Sequence, residues 1–385
     1  MSDPAELSVD TPIHVRLYVE PNEAYYSQLR CGLIELREQG KLHLSWASKP
    51  TPDTFAPPAD QWRPLFTTRL VINPDTPQAL KVCFDMDDGE SMHPEYLTWS
   101  DVYFKRGYTD EAVADLESSQ RSKVLPFGLQ LACRSPKESL LDSLQAEWAT
   151  KQGEFAPYGT AKALLRRYLR RQNLSPLSTA LESEPTTPVE QRVFFRTRVY
   201  APQDARGADA QGTLRRINDL RAGVVRALKE AFGTQFIGGL RPSRYALDHY
   251  PDCVVDDSFD FAEHLRQTKI NLINVNTDGL HNSTGWKLAE MLAAATCVVA
   301  ERPKHKLPVP LTEGLHYQSF TTPDECVAAC RILLADAELA NNMRHANYAY
   351  YRHQVRPDSL IERCLVEALL KGEEFKPAKH RTKAA

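Results

Sequence analysis

The stretch INLINVNTDGLHNSTGWKLAEMLAAATCVVA, residues 270–300, decides the fold class. It begins with the apolar run Ile270-Asn-Leu-Ile-Asn274, crosses a turn of small and polar residues, and continues as a helical pattern from Trp286 to Ala295. A second apolar run, Cys297-Val-Val-Ala300, follows directly. A strand, a helix and another strand in this order predict a parallel βαβ unit whose helix packs on the sheet.

The same alternation extends in both directions along the chain. Around the central stretch, strands are predicted at 192–200 and 234–237 and helices at 213–232, 261–268 and 323–336. An earlier series has a helix at 25–39 and strands at 13–19, 42–46, 69–72, 81–84, 101–104 and 124–127. Residues 173–190 between the two series have the composition of a linker. We therefore predict an α/β protein with mostly parallel sheets and two domains, at 1–185 and 186–370, followed by a disordered basic tail at 371–385.

Composition excludes several classes of protein. The 385 residues carry a net charge of −3, so there is no overall basic field of the kind that attracts nucleic acid. No apolar run approaches the roughly 20 residues that cross a bilayer, and the first residues lack the core of a signal peptide. The eight cysteines are scattered, mostly within apolar segments, which predicts reduced and buried thiols. We expect a soluble, cytoplasmic protein.

The turn at 276–290 concentrates groups that bind phosphate and sugar. In an open α/β sheet, ligands bind beyond the carboxyl ends of the strands, and a helix start there offers free N–H groups to a phosphate. Ser283 and Thr284 can donate hydroxyls, and Lys287 can neutralise a diphosphate. Glu290, one turn further, can accept hydrogen bonds from ribose hydroxyls. The alternative is a simple N-cap followed by a solvated lysine and glutamate.

A resemblance follows from this turn and the residues after it. The run from Gly285 to Glu301, with Leu311 to Phe320 and Asp324 to Cys326, resembles the donor half of GT-B glycosyltransferases. The resemblance extends over roughly 190–370. In that fold a glutamate on this helix commonly binds the nucleotide ribose, a role that the resemblance implies for Glu290.

The first half of the chain adds to the resemblance. The segment Asp101 to Tyr108 resembles one found in some bacterial surface-glycan transferases. Together the two halves imply two Rossmann-like domains that face one another across a cleft, with the donor bound by the second and the acceptor by the first. Retaining members of the fold often carry two glutamates separated by seven residues, and Asn282 occupies the place of the first. Asn282 can still hydrogen-bond a sugar hydroxyl, while the stereochemical outcome stays open.

Several basic residues are candidates for the donor site. Arg196 and Arg198 lie near the end of the first strand of the second domain, where the resemblance implies a cation near the donor phosphates. Arg241 and Arg244 follow a strand and a glycine pair, and His281 lies in the proposed donor loop. Arginines paired on the surface are the alternative. The predicted donor site comprises Arg196, Arg241, Arg244, Asn282, Ser283, Thr284, Gly285, Lys287 and Glu290, with His281 as a catalytic candidate.

An acidic cluster in the first domain supplies the other catalytic candidates. Asp85, Asp87 and Asp88 directly follow an apolar strand, and His93 lies close behind them. The carboxylates could bind a divalent cation, as in a phosphatase of the haloacid-dehalogenase type or a metal-dependent GT-A transferase, or supply a general base. Within a GT-B fold the cluster faces the acceptor. A turn of Asx-capping residues is the structural alternative.

We expect a glycosyltransferase that moves a sugar from a nucleotide-sugar donor to a hydroxyl on a glycan, a lipid-linked sugar or a protein. It would need neither a metal nor another cofactor. A Mg²⁺-dependent phosphotransfer hydrolase built on Asp85 and Asp87, and a non-catalytic protein that binds sugar nucleotides, are the alternatives. The basic stretch 162–171 could lie on anionic lipid at the inner membrane surface or form a solvated helix. The sequence does not predict an oligomeric state.

Overall fold

The computed structural model describes residues 6–18, 23–47, 66–150, 175–204, 208–255 and 260–374. The chain divides into two compact units. The first comprises Met1–Ala180, Lys306–Pro308 and Val355–Ala385, and the second comprises Leu181–His305 and Val309–Gln354. The chain thus returns to the first unit at its end, whereas the sequence pattern placed its last helix in the second domain. The predicted basic helix at 162–171 lies outside the described residues.

The first unit is built on a six-stranded sheet in the order β2-β1-β3-β4-β5-β6. Its pairs are parallel except for those made by β3, which is antiparallel to both β1 and β4. Every residue of β3 is buried, so the strand lacks the alternating pattern of a half-exposed one. The strands are β1 (Ile13–Tyr18), β2 (Leu42–Ala47), β3 (Thr67–Ile72), β4 (Leu80–Asp85), β5 (Val102–Lys105) and β6 (Val124–Pro126).

Two long helices cover this sheet. Helix α1 (Glu23–Glu38) buries Leu29, Leu33 and Leu36 in a core shared with Leu360, Ile361 and Leu365 of α13, the helix Pro357–Glu374. The two helices approach closely at Gly32, where an added Cβ would lie 2.2 Å from the carbonyl oxygen of Pro357. Shorter helices of this unit are α2 (Pro94–Trp99), α3 (Asp110–Ala114), α4 (Ser118–Arg121) and α5 (Leu140–Thr150).

The second unit has a five-stranded, fully parallel sheet in the order β11-β10-β9-β7-β8. The strands are β7 (Glu190–Thr197), β8 (Phe236–Leu240), β9 (Asn271–Asn276), β10 (Cys297–Ala300) and β11 (Gln318–Ser319). From β7 the chain first adds β8 on one side and then β9 on the other, so the strand order reverses between β7 and β9. In doubly wound sheets such a switch point opens the crevice that receives the ligand.

The helices of the second unit connect these strands. They are α7 (Ala208–Phe232), α8 (Arg244–His249), α9 (Phe261–Ile270), α10 (Trp286–Ala293), α11 (Pro323–Ala335) and α12 (Ala337–Tyr350), and a short helix α6 (Ser178–Leu181) precedes β7. The glycine pair in β8 has a clear packing reason. Gly238 has φ +123°, and an added Cβ would lie 2.2 Å from the carbonyl oxygen of Phe195 on β7.

Both units therefore have the Rossmann-like α/β architecture that the strand–helix alternation predicts. All eight cysteines are free and buried, as expected from their apolar surroundings. Two predicted irregular segments contain helix: α6 lies within 173–190, and α13 continues past 371 to Glu374. No helix among the described residues has the length and apolar character to span a bilayer.

Candidate functional site

The loops that follow β7 and β9 meet at the switch point of the second sheet. Strand β7 ends at Thr197 and is followed by Arg198, and β9 ends at Asn276 and is followed by Thr277 and Asp278. Helix α10 begins a few residues later, with Gly285 as its N-cap residue. Its N-terminus therefore lies at the carboxyl edge of the sheet, where the first backbone N–H groups of a helix have no partner inside the helix.

Arg221, on α7, joins these two loops. Its guanidinium donates to Oγ1 of Thr277 at 2.9 Å, to the carbonyl oxygen of Arg198 at 2.7 Å and to the carbonyl oxygen of Asp278 at 2.7 Å. These acceptors are neutral, and Arg221 is only 4% exposed. Burial lowers the pKa of Arg221. Arg221 is therefore a buried cation that holds the loops after β7 and β9 together, and Tyr200 and the carboxylate of Glu301 partly oppose the effect of burial on its pKa.

Lys287 adds a second positive charge at the same place. It lies in the first turn of α10, and its ammonium donates to the carbonyl oxygen of Arg196. Burial, reinforced by the positive charge of Arg221 and then of Arg198 and Arg196, lowers the pKa of Lys287 to about 7, while Glu290 opposes this shift. The neighbouring arginines therefore add to the effect of burial, and Lys287 loses its proton more readily than an exposed lysine.

The two arginines predicted on β7 lie at different depths. Arg196 is buried within the strand, whereas Arg198 is exposed just beyond it and lies over the ring of Tyr200 at 5.0 Å. Burial favours the neutral phenol of Tyr200, yet Arg221 and Arg198 outweigh it and lower the pKa of that hydroxyl. Arg196, Arg198, Arg221 and Lys287 together form what we call the positive crevice.

Glu290 is the carboxylate that α10 places beside the positive crevice. It is 5% exposed, and its Oε2 lies 3.5 Å from Nε2 of His264 on α9. The sequence pattern identified Glu290 but not His264, because the two residues belong to different helices and nothing in their spacing links them. Glu290 is therefore held inside the unit beside the crevice rather than solvated on the helix surface.

The loop between β9 and α10 has a defined backbone. His281 and Asn282 both adopt the left-handed region, with φ of 56° and 57°, and the N–H of Gly279 donates to the carbonyl oxygen of Ser283 at 2.8 Å. Ser283 is buried, Thr284 is half-buried and His281 is exposed. Oδ1 of Asn282 accepts a hydrogen bond from Lys304 at 3.1 Å. The structure thus brings the predicted donor residues 282–290 and Arg196 to one edge of the second sheet.

Arg241 and Arg244 lie further along the same sheet. The N–H of Arg241 donates to the carbonyl oxygen of Thr197 at 2.8 Å, so this residue follows β8 directly beside the end of β7. Its side chain is exposed. Arg244 starts α8 with its side chain 97% exposed, 3.8 Å from Asp248. Arg241 thus borders the crevice edge, while Arg244 has the environment of a surface residue.

The predicted cluster Asp85, Asp87 and Asp88 does not form one site, because each side chain has different partners. Asp85 is fully buried at the end of β4, where it accepts hydrogen bonds from the hydroxyl of Tyr103 at 2.5 Å and from Lys105 at 3.0 Å. Asp88 pairs with Arg106. Among the described residues, no three His, Cys, Asp or Glu side chains lie close enough together to hold a metal ion.

Asp87 differs from its two neighbours in the cluster. It is half-buried, and its Oδ1 accepts the N–H of Gly89 at 2.9 Å. His93, predicted as a further member, donates its backbone N–H to the hydroxyl of Tyr103 at 3.2 Å.

Several residues of the site were not predicted from the sequence. Arg221 lies in the middle of an amphipathic helix, where its spacing resembles that of any partly buried arginine. Asp278, Glu301 and Lys304 form a second polar group beside the crevice, with Asp278 6% exposed. Asp278 and Glu301 each come shortly after a predicted strand. Their place at the carboxyl edge of a parallel sheet could therefore have been predicted from the sequence.

Comparison with known proteins supports the family resemblance. Residues 221–365 match a family model described as glycosyl transferase-like. This match confirms the resemblance to glycosyltransferases in the second half of the chain. No curated protein matches the sequence significantly.

The solved structures that match this chain share little sequence with it. A glycosyltransferase from Rickettsia africae is 10% identical with a TM-score of 0.38, and the match covers 91% of this chain and 82% of that one. The Anabaena protein HepE, solved in complex with UDP, is 10% identical with a TM-score of 0.36 and coverage of 92% and 98%. A Listeria monocytogenes protein assigned as a UDP-N-acetylglucosamine 2-epimerase is 11% identical with a TM-score of 0.36 and coverage of 94% and 75%.

Proposed function

We propose that this protein is a glycosyltransferase that takes a sugar from a nucleoside-diphosphate donor, and that the positive crevice binds the donor diphosphate. The observation that carries the proposal is geometric: Lys287 donates to the carbonyl oxygen of Arg196 and Arg221 donates to that of Arg198, so basic residues of three elements meet at the carboxyl edge of the second sheet. Like charges gathered at the switch point of a parallel sheet are stabilised when a polyanion binds between them. A diphosphate meets that requirement.

Each residue of the crevice has a proposed role. Arg196, Lys287 and the N–H groups of the first turn of α10 stabilise the charge that develops on the leaving diphosphate. Arg221 holds the loops after β7 and β9 in the geometry that these contacts need. Glu290 accepts hydrogen bonds from the ribose hydroxyls, with His264 beside it. We retain the prediction that the first domain binds the acceptor, a hydroxyl on a glycan, a lipid-linked sugar or a protein.

Activation of the acceptor hydroxyl requires a general base. Among the three aspartates, Asp85 and Asp88 are held in ion pairs with Lys105 and Arg106, which makes their carboxylates less available to an acceptor hydroxyl. Asp87 is left as the candidate in the first unit, and the exposed His281 is the candidate in the second. The same ion pairs disfavour the hydrolase alternative, in which Asp85 would be the nucleophile.

Four cations and a helix N-terminus can balance the charge of a diphosphate, so we propose that the reaction needs no metal ion. The test is calorimetric titration of UDP, GDP, CDP, ADP and dTDP into the protein, each with EDTA and with Mg²⁺. We expect one nucleotide to bind with similar affinity in both buffers. Loss of binding in EDTA would instead indicate a metal-bridged diphosphate.

A lysine variant connects binding to the crevice. Lys287→Met should weaken the preferred nucleotide roughly 10- to 100-fold, the effect of losing one charged hydrogen bond. Lys229→Met is the matched control, because Lys229 lies near the end of α7 at the opposite edge of the sheet. Equal effects of the two substitutions would argue against the crevice. Release of free nucleoside diphosphate from the sugar donor then distinguishes an enzyme from a protein that only binds it.

A further inference from the structure

We propose that Tyr200 binds the diphosphate of the donor through its hydroxyl, as a further ligand-binding residue beside the positive crevice. The proposal rests on the function proposed above, and it adds a neutral hydrogen-bond donor to a group of cations. Tyr200 lies three residues beyond the end of β7, on the loop that also carries Arg198, and its side chain is half-buried.

The backbone of Tyr200 is fixed on α7. Its N–H donates to Oδ1 of Asn218 at 2.9 Å, and its carbonyl oxygen accepts a hydrogen bond from Nδ2 of the same amide at 2.7 Å. Asn218 is fully buried, and Arg221, one turn further along α7, donates to the carbonyl oxygen of Arg198 at 2.7 Å. Two residues on one face of a helix therefore hold this loop in a defined position.

The ring of Tyr200 contacts two guanidinium groups. The guanidinium carbon of Arg198 lies 5.0 Å from the ring centroid, and that of Arg221 lies 5.4 Å from it. A cation over an aromatic face is attracted by the negative charge of that face. In addition, Nε of Arg198 donates to the hydroxyl oxygen of Tyr200 at 3.2 Å. These contacts orient the side chain without using the proton of its hydroxyl.

The hydroxyl proton is available to a ligand. A tyrosine hydroxyl both accepts and donates, whereas arginine has only donors, so neither Arg198 nor Arg221 can accept this proton. Within the described parts of the chain, no other acceptor receives it. Burial favours the neutral phenol, but Arg221 and then Arg198 outweigh burial and lower the pKa of Tyr200. A more acidic hydroxyl makes a stronger hydrogen bond to an anionic oxygen.

A phosphate oxygen is the acceptor that suits this position. The two guanidinium groups beside the hydroxyl favour an anionic acceptor over a neutral carbonyl oxygen. A phosphate has several oxygens, so one group can accept from a tyrosine and from arginines together. Arg221 also donates to the carbonyl oxygen of Asp278 in the loop after β9, so Tyr200 adjoins the place where the two loops of the crevice meet.

The variant that tests the proposal is Tyr200→Phe, which removes the hydroxyl and keeps the ring and the backbone bonds to Asn218. Tyr348→Phe is the matched control. The hydroxyl of Tyr348 donates to Glu184 at 2.8 Å, and Arg352 lies over its ring at 5.9 Å. Glu184 precedes β7, so this control removes an equivalent hydroxyl at the opposite edge of the sheet. Melting temperatures of the variants check that each one is folded.

The measurement is calorimetric titration of the nucleoside diphosphate that binds most tightly to the wild type. We expect Tyr200→Phe to weaken its affinity about tenfold or more, and Tyr348→Phe to leave the affinity unchanged. A double-mutant cycle with Arg198→Met separates two roles of the hydroxyl. Because the proposed hydrogen bond is made to the ligand itself, Tyr200→Phe should weaken binding in the Arg198→Met background as well.

Three results would overturn the proposal and leave the proposed function intact. The first is unchanged affinity of Tyr200→Phe. The second is an effect that disappears in the Arg198→Met background, since the hydroxyl would then act only by orienting that arginine. The third is an equal loss of affinity in the Tyr348→Phe control. Failure of every nucleoside diphosphate to bind the wild type would instead overturn the proposed function.

Discussion

Replacing Lys287 with methionine should make the unliganded protein more stable while it weakens nucleotide binding. The side chain lies against Arg196 and near Arg221, and its pKa is lowered from 10.5 to about 7. Methionine keeps the apolar stem and removes the charge. A residue that binds a ligand but destabilises the unliganded protein is expected to behave in this way, because its replacement raises stability and lowers affinity.

The size of this stability difference and its dependence on pH follow from the linkage between folding and proton binding at Lys287. Between pH 7 and 10.5 the unfolded chain binds a proton at Lys287 that the native state does not, so this group makes the wild type more stable as pH rises. The full shift corresponds to a penalty of about 4 kcal/mol at pH 7 and about 2 kcal/mol at pH 9. Part of Lys287 remains exposed, and solvent screening reduces these figures. We therefore expect the variant to gain about 2 kcal/mol at pH 7 and about 1 kcal/mol at pH 9.

The assay is urea unfolding of wild type and variant at pH 7 and pH 9, with the difference in free energy of unfolding as the measured quantity. Other titrating groups act equally on both proteins and cancel in this difference. A stability difference that is the same at both pH values, or a variant less stable than wild type at pH 7, would refute the assignment of a positive crevice. Saturating nucleoside diphosphate should reduce the stability advantage of the variant by about 1.4–2.7 kcal/mol, because the wild type binds the nucleotide about 10- to 100-fold more tightly.

Four further predictions concern the same structure. Glu290→Ala should weaken nucleotide binding about 10- to 100-fold in calorimetry, whereas unchanged affinity would remove Glu290 from the donor site. EDTA should leave turnover nearly unchanged, and a loss restored by Mg²⁺ or Mn²⁺ would contradict charge balance by side chains alone. Gly238→Ala should destabilise the second unit by more than about 2 kcal/mol, because its Cβ would meet Phe195, and an unaltered melting temperature would show that β8 can move away. Proteolysis within 173–190 should leave two folded pieces that co-elute on gel filtration, because α13 packs on α1, whereas separate elution would contradict that packing.

Much of the secondary structure was predictable because local patterns encode it. The run from Asn271 to Asn276 forms β9, Cys297 to Ala300 forms β10, and α10 begins at Trp286, all close to the predicted ends. Pairing direction is not a local property. Nothing in the residues of β3 distinguishes an antiparallel partner from a parallel one, so its orientation did not follow from the apolar pattern.

The candidate site was predictable to the extent that it lies in one continuous segment. Residues 282–290 lie between a strand and a helix, where the rule for parallel sheets places a ligand. Arg221 is 56 positions away from Thr277, which it contacts, and only the folded chain shows that a residue of α7 joins the loops after β7 and β9. For the acidic cluster the sequence pattern does not reveal exposure, and the catalytic role suggested for Asp85 depends on exposure that a fully buried side chain lacks.

The return of α13 to the first unit has a consequence for synthesis on the ribosome. Leu29, Leu33 and Leu36 of α1 are synthesised early. The apolar residues that cover them are Leu360, Ile361 and Leu365 of α13, which are synthesised more than 300 residues later. The second unit lies wholly between these two points in the chain. It can therefore complete its core during translation, whereas the first unit must wait for the last helix with part of α1 uncovered. We expect chains that terminate before residue 357 to be captured by chaperones through the exposed face of α1, even though their second unit is folded.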